Sequence, residues 1–198
     1  QKLVRYEKGR KDASRRRIME VAAERFRSEG IAASGLAGIM SDAGLTNGAF
    51  YLHFDSKAEL VRECLASALE DQSHRLQDIF AAGGLEAALE RYLSAEHRDN
   101  PRNSCVAAAL LPEIARQPAE TRSLFAARFL AMVQQMASSL PPQTREPEGV
   151  ALGVYATLIG ALQLARATQG TTLSDRVLEA GAEAARALIQ SRQDKGRT

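Results

Sequence analysis

Cysteine and histidine are the residues of this chain that could do chemistry, as nucleophiles, bases or metal ligands. Cys105 follows Asn103-Ser104 at the predicted start of a helix, where the helix dipole favours the reactive thiolate, and Arg102 could add to that effect. This placement makes Cys105 a candidate redox sensor. A small buried hydrophobe is the competing interpretation of the same residue.

A thiol with a neighbouring imidazole could also catalyse a reaction, and His97 lies close to Cys105 in the sequence. No recognised nucleophile motif surrounds Cys105, however, and the sequence contains no glycine-rich phosphate loop. The three histidines, at 53, 74 and 97, show no spacing typical of metal ligands. We therefore expect a protein that is not an enzyme and that uses no metal or cofactor.

The reading of DNA bases is a third chemistry, and Ser34–Phe54 is the segment that indicates it. A short predicted helix is followed by a turn at Ala43-Gly44-Leu45 and by a second short helix, as in a helix-turn-helix. The second helix begins with Thr46, Asn47 and Gly48, and the Asn47 amide is suited to bidentate hydrogen bonding with adenine. Side chains expected to pack inward beneath it are Ile39, Leu45 and Phe50.

Helical periodicity extends from end to end of the chain, and no stretch alternates as a β-strand would. Ser56 and Glu59 form the capping box of a long helix, which Gly83-Gly84 should end, and Pro112 should bend or break a later helix. The predicted helices cover residues 14–30, about 36–43, 46–52, 56–81, 85–98, 103–117, 119–139, 148–169 and 174–191.

The expected fold is all-α with about nine helices and a boundary near Phe54–Ser56. An N-terminal domain over 1–55 would hold three helices, the helix-turn-helix and a basic arm, and a larger helical bundle would occupy 56–198. Charge divides at the same place, with 11 basic and 7 acidic side chains in residues 1–57 against 15 and 17 in residues 58–198. A cationic end suggests a polyanion partner, although a solvated charge run is the alternative. Residues that could form an arm on DNA, or a solvated tail, are Lys2, Lys8, Arg10, Lys11 and Arg15–Arg17.

Export and membrane insertion are not expected. No apolar region follows the basic start, as a signal peptide would require. The longest uncharged run, Gly149–Ala165, has 17 residues that include two further glycines, a Thr and a Gln, and it suits a buried helix better than a membrane span. We expect a cytoplasmic protein without membrane contact.

The run A-G-L-T-N-G-A-F-Y-L-H-F-D-S-K-A-E-L, from Ala43 to Leu60, resembles the signature of the TetR family of bacterial transcriptional regulators. It meets the family pattern A-G-(V/L)-x-x-G-x-x-Y-x-H-F-x-x-K-x-x-L at every fixed position without a gap. The preceding helix, with Phe26 and Gly30 at its end, also fits. The remaining length and helicity fit the family's regulatory domain.

The resemblance implies roles for residues of this motif. Tyr51, His53 and Lys57 would contact DNA phosphates, and the positive end of its helix would assist Lys57. The residues that would face the bases are Thr46, Asn47 and Gly48, and the small Gly48 and Ala49 would permit close approach to the DNA. Many members of the family carry Thr-Thr where this chain has Ser34-Gly35. Gly35 has no hydroxyl, so either Ser34 replaces that phosphate contact or the contact is absent.

The resemblance also implies that residues 56–198 form a homodimer, through the helices at 148–169 and 174–191. The first of these is apolar almost all round, and small residues would allow close helix approach at Gly153, Ala156, Gly160 and Ala161. The matching face of the last helix consists of Leu173, Val177, Leu178, Ala182, Ala185 and Leu188.

A cavity for an unknown small-molecule effector is expected among the helices between 56 and 139. Its candidate walls, each of which could equally be plain core, are Phe80, Tyr92, Leu110, Phe125, Phe129, Met132 and Met136. Arg116, Arg128 and Gln163 could supply polarity if they point inward. The mechanism that the resemblance implies is that the effector shifts the helix from Ser56 and so changes the separation of two DNA-reading heads.

The expected function is a DNA-binding transcriptional repressor that a small-molecule ligand releases from a double-stranded operator. A thiol-based regulator, which responds to electrophiles or oxidants through Cys105, is the alternative. A helical protein–protein interaction module that does not bind DNA is a more remote one.

Overall fold

The computed structural model of the chain describes residues 2–193, apart from the side chains of residues 2–8 and Asn103. That range is all-α, as the sequence predicts, and it contains no strand. The α-helices are α1 (Lys2–Glu29), α2 (Leu36–Asp42), α3 (Lys57–Tyr92), α4 (Ala95–Asp99), α5 (Val106–Ile114), α6 (Ala119–Ser138), α7 (Pro147–Ala167) and α8 (Thr172–Ser191). Short 3-10 helices lie at Asn47–Leu52 and Pro101–Asn103.

Glycine 84 divides α3 into two helical segments, so the described residues contain nine α-helical segments and two 3-10 helices, where the sequence predicts about nine helices. Gly84 adopts φ 68° and ψ −162°, a conformation that only glycine reaches without strain, so the chain bends there and continues as helix. The sequence predicted an end at Gly83-Gly84, and the actual end is Tyr92. Ser94 then starts α4, because its Oγ accepts a hydrogen bond from His97 N at 3.1 Å.

Other helix ends differ from the predicted ones for local reasons. The third helix of the head is a 3-10 helix, and α1 begins at Lys2 instead of near residue 14. Pro112 lies inside α5, which ends two residues later at Ile114. The capping box is confirmed at α3, where Ser56 Oγ accepts from Glu59 N at 3.1 Å and Glu59 accepts from Asp55 N at 2.6 Å.

The N-terminal head is held by a small aromatic and aliphatic core. Phe26 of α1, Ile39 of α2 and Phe50 of the 3-10 helix are all fully buried, and Leu45 packs against them partly buried. Phe54 stacks on Phe50 with ring centroids 5.6 Å apart. The inward packing predicted for Ile39, Leu45 and Phe50 is therefore confirmed.

The body is built around α7, which packs against α6 on one side and α8 on the other. By length and composition α7 could span a membrane, and it is the one such helix among residues 2–193. The predicted intermolecular face of α8 needs correction. Leu178 and Ala185 are buried against the protein's own chain, so only the flanking Leu173 and Leu188 remain exposed from that face.

Close packing of α7 and α8 depends on Gly181. A Cβ at this position would lie 2.5 Å from Ala161 Cβ and 3.2 Å from Leu93 Cδ1, so the helices would have to separate. We expect Gly181→Ala to lower the free energy of unfolding by about 1–3 kcal/mol, despite the higher helix propensity of alanine. Urea denaturation at one fixed protein concentration would measure the change.

The matched control for Gly181 is Gly149 in the first turn of α7. A Cβ there meets only Glu146 Cβ, at an ordinary 3.9 Å. Gly149→Ala should leave the stability unchanged or raise it by up to about 1 kcal/mol. Equal effects at the two glycines would contradict this account of the α7–α8 contact.

Candidate nucleic-acid interface and ligand site

The start of the 3-10 helix forms an exposed tip on a buried aromatic base. Thr46, Asn47 and Gly48 are exposed, and Thr46 has the extended backbone of an N-cap residue. Beneath them Phe50 is completely buried and stacked on Phe54. A rigid support under polar, accessible residues is what base reading requires. Ala49 is half-buried and packs against the core beneath the tip.

Tyr51 and His53 lie beside this tip in different environments. Tyr51 is 69% exposed and its ring meets the Phe50 ring edge-on at 5.2 Å. His53 is half-buried, and its Nδ1 has no hydrogen-bond partner among the described residues. Partial burial, aided by the charges of Lys11 and Arg15, lowers the pKa of His53. A DNA phosphate at the same place would offset the positive potential of Lys11 and Arg15.

The side chain of Ser34 is not available for a phosphate contact, which corrects one of its predicted roles. Ser34 is completely buried and its Oγ donates to Gly30 O at 2.7 Å. Gly35 is exposed and is the N-cap of α2, where it offers backbone only. Lys57 is half-buried, and its Nζ donates to Ile31 O at 2.6 Å, which ties the start of α3 to the end of α1.

The basic N-terminal segment is helical, because α1 continues back to Lys2. Its Arg10, Lys11 and Arg16 are exposed. Arg15 is committed elsewhere: it bonds the Glu63 carboxylate and lies over the Phe54 ring at 4.4 Å, so it fixes α1 to α3. Arg17 lies 3.6 Å from Glu20. The side chains of the two remaining arm residues, Lys2 and Lys8, lie outside the described part of the chain.

Comparison with known proteins identifies this head. A family model described as bacterial regulatory proteins, tetR family, matches residues 18–64, from α1 into α3. The head is therefore similar to the TetR family over residues 18–64, about a quarter of the chain. Over 72 residues it is 42% identical to the HTH-type transcriptional regulator TtgR of Pseudomonas putida, which covers 36% of this chain and 34% of that protein. Over 73 residues it is 34% identical to the HTH-type transcriptional repressor KstR2 of Rhodococcus jostii, and this alignment covers 37% of this chain and 36% of that protein.

These alignments span only about a third of the length of the curated TetR-family relatives. Solved structures extend the likeness in fold. The TetR-family regulator from Cytophaga hutchinsonii has a TM-score of 0.76 and 20% identity, over 94% of this chain and 98% of that one. The reduced form of E. coli NemR has a TM-score of 0.72 and 19% identity, and the match covers 94% of this chain and 100% of that chain. At such identities the body shares the TetR-family fold, and the fold is all that this likeness shows.

The residues predicted to line a ligand cavity separate into groups in this helical body. Phe125 stacks on Phe129 at 5.7 Å, and Phe129 meets the ring of Tyr155 at 5.3 Å. Leu110 lies elsewhere, in a small cavity between α1, α3 and α5 that Cys64 also lines. Core positions are taken by Leu110, Met132 and Met136, and partly buried ones by Phe80, Tyr92, Phe125 and Phe129.

Sequence reasoning chose the wrong polar residues for the interior. Arg116, Arg128 and Gln163 are all exposed. The polar groups that lie inside form what we call the polar cluster, which consists of Gln72, Tyr92, His97, Cys105, Tyr155 and Arg166. One signal could have found Arg166, since it is the single charge that ends the long uncharged run of α7.

Cys105 is the N-cap of α5, as its predicted place at a helix start requires, but it is only 7% exposed. Gln72 Nε2 donates to Cys105 Sγ at 3.0 Å, and Gln72 Oε1 accepts from Val106 N at 3.1 Å. The backbone N–H of Cys105 donates to His97 Nε2 at 3.3 Å. Both candidate interpretations of Cys105, sensor and buried hydrophobe, are compatible with these contacts.

The second cysteine is a core residue. Cys64 is buried, its Sγ donates to Met19 O at 3.5 Å, and burial raises the pKa of its thiol to about 12. A thiol with that pKa is protonated and unreactive near neutral pH. Among the described residues, no group of three or more His, Cys, Asp or Glu side chains could hold a metal ion.

His97 is held neutral by its surroundings. Nε2 accepts from the Cys105 N–H, so the ring proton is on Nδ1, which donates to Tyr92 O at 2.7 Å. Burial lowers the pKa of His97. Between this value and the unfolded pKa of about 6.5 the unfolded chain binds more protons. The stability contributed by neutral His97 is therefore complete above about pH 6.5 and is lost as the pH falls through the folded value.

We expect His97→Gln to make the unfolding free energy less dependent on pH between 7.5 and 5.0. Urea denaturation at the two pH values would measure the difference, which for one proton is at most about 1.4 kcal/mol per pH unit. His74→Gln, at an exposed position of α3, is the control. A parent-like pH dependence in His97→Gln would show that the His97 proton is not linked to folding.

Proposed function

We propose that the protein is a transcriptional repressor that binds a double-stranded operator as a homodimer and leaves it when a small-molecule effector binds. The exposed Thr46–Gly48 tip on the buried Phe50 base, inside a TetR-family domain, is the observation that carries the proposal. The printed names of relatives support it, since one is a transcriptional regulator and another a transcriptional repressor. Such a protein would act in the cytoplasm.

The electrostatics of the head favour a phosphate backbone as partner. Lys11 lies near enough to His53 to contribute to lowering its pKa, so the positive charge of α1 lies beside the 3-10 helix and its flanking His53. Arg10 and Arg16 are exposed on the same helix as Lys11. Phosphate contacts from such residues would fix the position of the head, and Asn47 would then read the bases.

Selection of bound fragments from random and genomic DNA, followed by sequencing, is the test of DNA binding. A two-fold symmetric site is the expected product, because a symmetric dimer reads two half-sites. Enrichment of no sequence at any salt concentration would reject the proposal. A helical protein–protein interaction module would then be the better description of the protein. Enzyme activity would have to be tested by an assay for chemistry at Cys105.

The dimer that we propose forms through α7 and α8. Leu152 and Leu164 of α7 are 44% and 59% exposed, and Leu173 and Leu188 of α8 are 47% and 36% exposed. Exposed alanines continue the apolar surface between these leucines, and their short side chains keep that surface flat. They are Ala156, Ala180, Ala184 and Ala187. A second copy of the same surface would bury these leucines as an isologous four-helix interface.

Two connections could carry a signal from the body, which we propose comprises residues 56–198, to the head over residues 1–55. The first is α3, which begins at Lys57, where the side chain bonds Ile31 O of the head, and ends at Tyr92 in the polar cluster. The second is Arg102, whose NH1 donates to Glu24 at 2.9 Å and whose carbonyl accepts from Arg27 of α1. An effector that displaces either connection would change the DNA affinity of the dimer.

A thiol-responsive regulator is the second candidate, because Cys105 Sγ lies at the N-terminus of α5 with a Gln72 N–H directed at it. A structurally similar protein, NemR, is described in a reduced form. Treatment with diamide should then release DNA from the parent and from Cys64→Ser, but not from Cys105→Ser. Equal release from the parent and Cys105→Ser would reject this candidate and leave the reversible effector.

A further inference from the structure

Two tyrosine hydroxyls of the polar cluster are buried without a hydrogen-bond partner. Tyr92, at the end of α3, and Tyr155, in α7, converge on the region of Cys105, although they come from distant parts of the sequence. The side chain of Tyr155 is 3% exposed. A buried hydroxyl without a partner is costly, so two of them side by side are unusual unless something else satisfies them.

Both hydroxyls are available as donors. Burial raises the pKa of Tyr155 and raises that of Tyr92 well above its ordinary value, so each keeps its proton near neutral pH. The Tyr155 O–H therefore lacks an acceptor, and the Tyr92 O–H has only the weakly accepting Cys105 sulfur beside it. The missing component of the cluster is an atom with lone pairs, such as a carbonyl or carboxylate oxygen.

Arg166 adds a positive charge that makes no salt bridge with the described residues. Its guanidinium donates to His97 O and Ser104 Oγ, each at 2.9 Å, and to Arg98 O at 3.2 Å. In the described part of the chain no carboxylate lies within 4 Å of it. Burial lowers the pKa of Arg166, as expected for a charge that is poorly solvated. An anion beside the tyrosines would offset that cost.

The neighbouring walls are aromatic. Phe129 meets the Tyr155 ring at 5.3 Å and 66°, and the Tyr92 ring meets the His97 ring at 4.9 Å and 84°. The Tyr92 hydroxyl is buried although the residue as a whole is partly exposed. Aromatic walls favour a planar ring, which can pack edge-on or stacked among them.

We propose that the polar cluster binds a small aromatic carboxylate, which accepts hydrogen bonds from Tyr92 and Tyr155 beside Arg166. Its ring packs near Phe129. This inference rests on the proposed function, because it identifies the chemical class of the effector. Occupation would move Tyr92 at the end of α3, and His97, which bonds both Tyr92 O and the backbone of Cys105. These are the groups that join the cluster to the two connections with the head.

Calorimetric titration of the full chain with benzoate, in the absence of DNA, tests the site directly. Benzamide has the same shape without the charge and should bind at least about tenfold more weakly, as expected when a charge-assisted hydrogen bond is lost. Cyclohexanecarboxylate keeps the charge without the aromatic ring and should also bind more weakly than benzoate. Benzamide and benzoate binding equally, or no binding of benzoate at millimolar concentration, would overturn the proposal.

Tyr155→Phe separates a ligand site from a structural role. The hydroxyl makes no hydrogen bond in the unliganded chain, so its removal should leave the urea midpoint unchanged or raise it. Benzoate should nevertheless bind about tenfold or more weakly to this variant. Tyr51→Phe, in the head, should bind benzoate as the parent does. Parent-like benzoate binding by Tyr155→Phe would overturn the proposal, and so would a large loss of stability without ligand.

Measurements with DNA distinguish the failure of this inference from the failure of the proposed function. If the chain binds benzoate through Tyr155 but selects no DNA sequence, the ligand site is supported and the repressor function is rejected. If the chain selects a symmetric operator but shows no benzoate binding in the calorimeter, the repressor function is supported and the proposed ligand site is rejected.

Discussion

Asn47→Ala is expected to lower the affinity of the dimer for its operator by about 30-fold to 20,000-fold. A bidentate contact between asparagine and adenine contributes about 1–3 kcal/mol of discrimination, and a symmetric dimer loses two such contacts, or about 2–6 kcal/mol. The substitution should leave the fold intact, because Asn47 is exposed and its side chain makes no hydrogen bond to the described residues. Fluorescence anisotropy with selected and scrambled DNA, at one fixed salt concentration, would measure both affinities.

Tyr51→Phe provides the contrast with Asn47→Ala. It keeps the ring against Phe50 and removes only the hydroxyl that would meet a phosphate. Affinity for operator and scrambled DNA should fall together, because phosphate contacts carry no sequence information. If Asn47→Ala also lowers both affinities equally, the tip touches the backbone and the bases are read elsewhere.

The second large effect is expected at the surface of α7 and α8. In Leu152→Glu the two protomers would each bury an unpaired carboxylate, at a cost of several kcal/mol for each ion. We expect the dimer dissociation constant to rise at least about 100-fold, since each 1.4 kcal/mol corresponds to a factor of ten. Sedimentation velocity over a range of micromolar concentrations would show the change, and operator binding should weaken with it.

Leu130→Glu on α6 is a closely matched control. Leu130 and Leu152 are both 44% exposed, so the same substitution has the same effect on the isolated protomer's surface. Only Leu152 lies on the proposed interface. Dissociation caused equally by both variants would reject the α7–α8 interface, and a parent that is monomeric at micromolar concentration would reject the dimer itself.

The head could be predicted in detail because its structure is determined by short-range effects. Gly44 adopts φ 72° at the turn, Ser56 caps α3, and Phe50 and Phe54 follow each other on one buried face. Each of these is visible in a few consecutive residues. Ser34 is the exception, because its hydroxyl could serve Gly30 or a phosphate, and only the packed structure shows that it is buried.

The body could be predicted as helices but not as a site. Gln72, Tyr155 and Arg166 belong to α3 and α7, and no periodicity in the sequence shows which faces of these helices meet at Cys105. The same limit applies to α8. Its apolar period is clear, yet the period does not show that Leu178 and Ala185 pack on the protein's own chain while Leu173 and Leu188 do not.

The bend at Gly84 gives α3 the properties of a lever. From Lys57 to Gly83 the helix is about 40 Å long, at 1.5 Å per residue. A rotation of about 5° at Gly84 would displace the Lys57 end by about 3.5 Å, which is close to the 3.4 Å rise between successive bases of a DNA strand. A ligand that rotated α3 at Gly84 by only about 5° would therefore shift the head by about the spacing of one base pair.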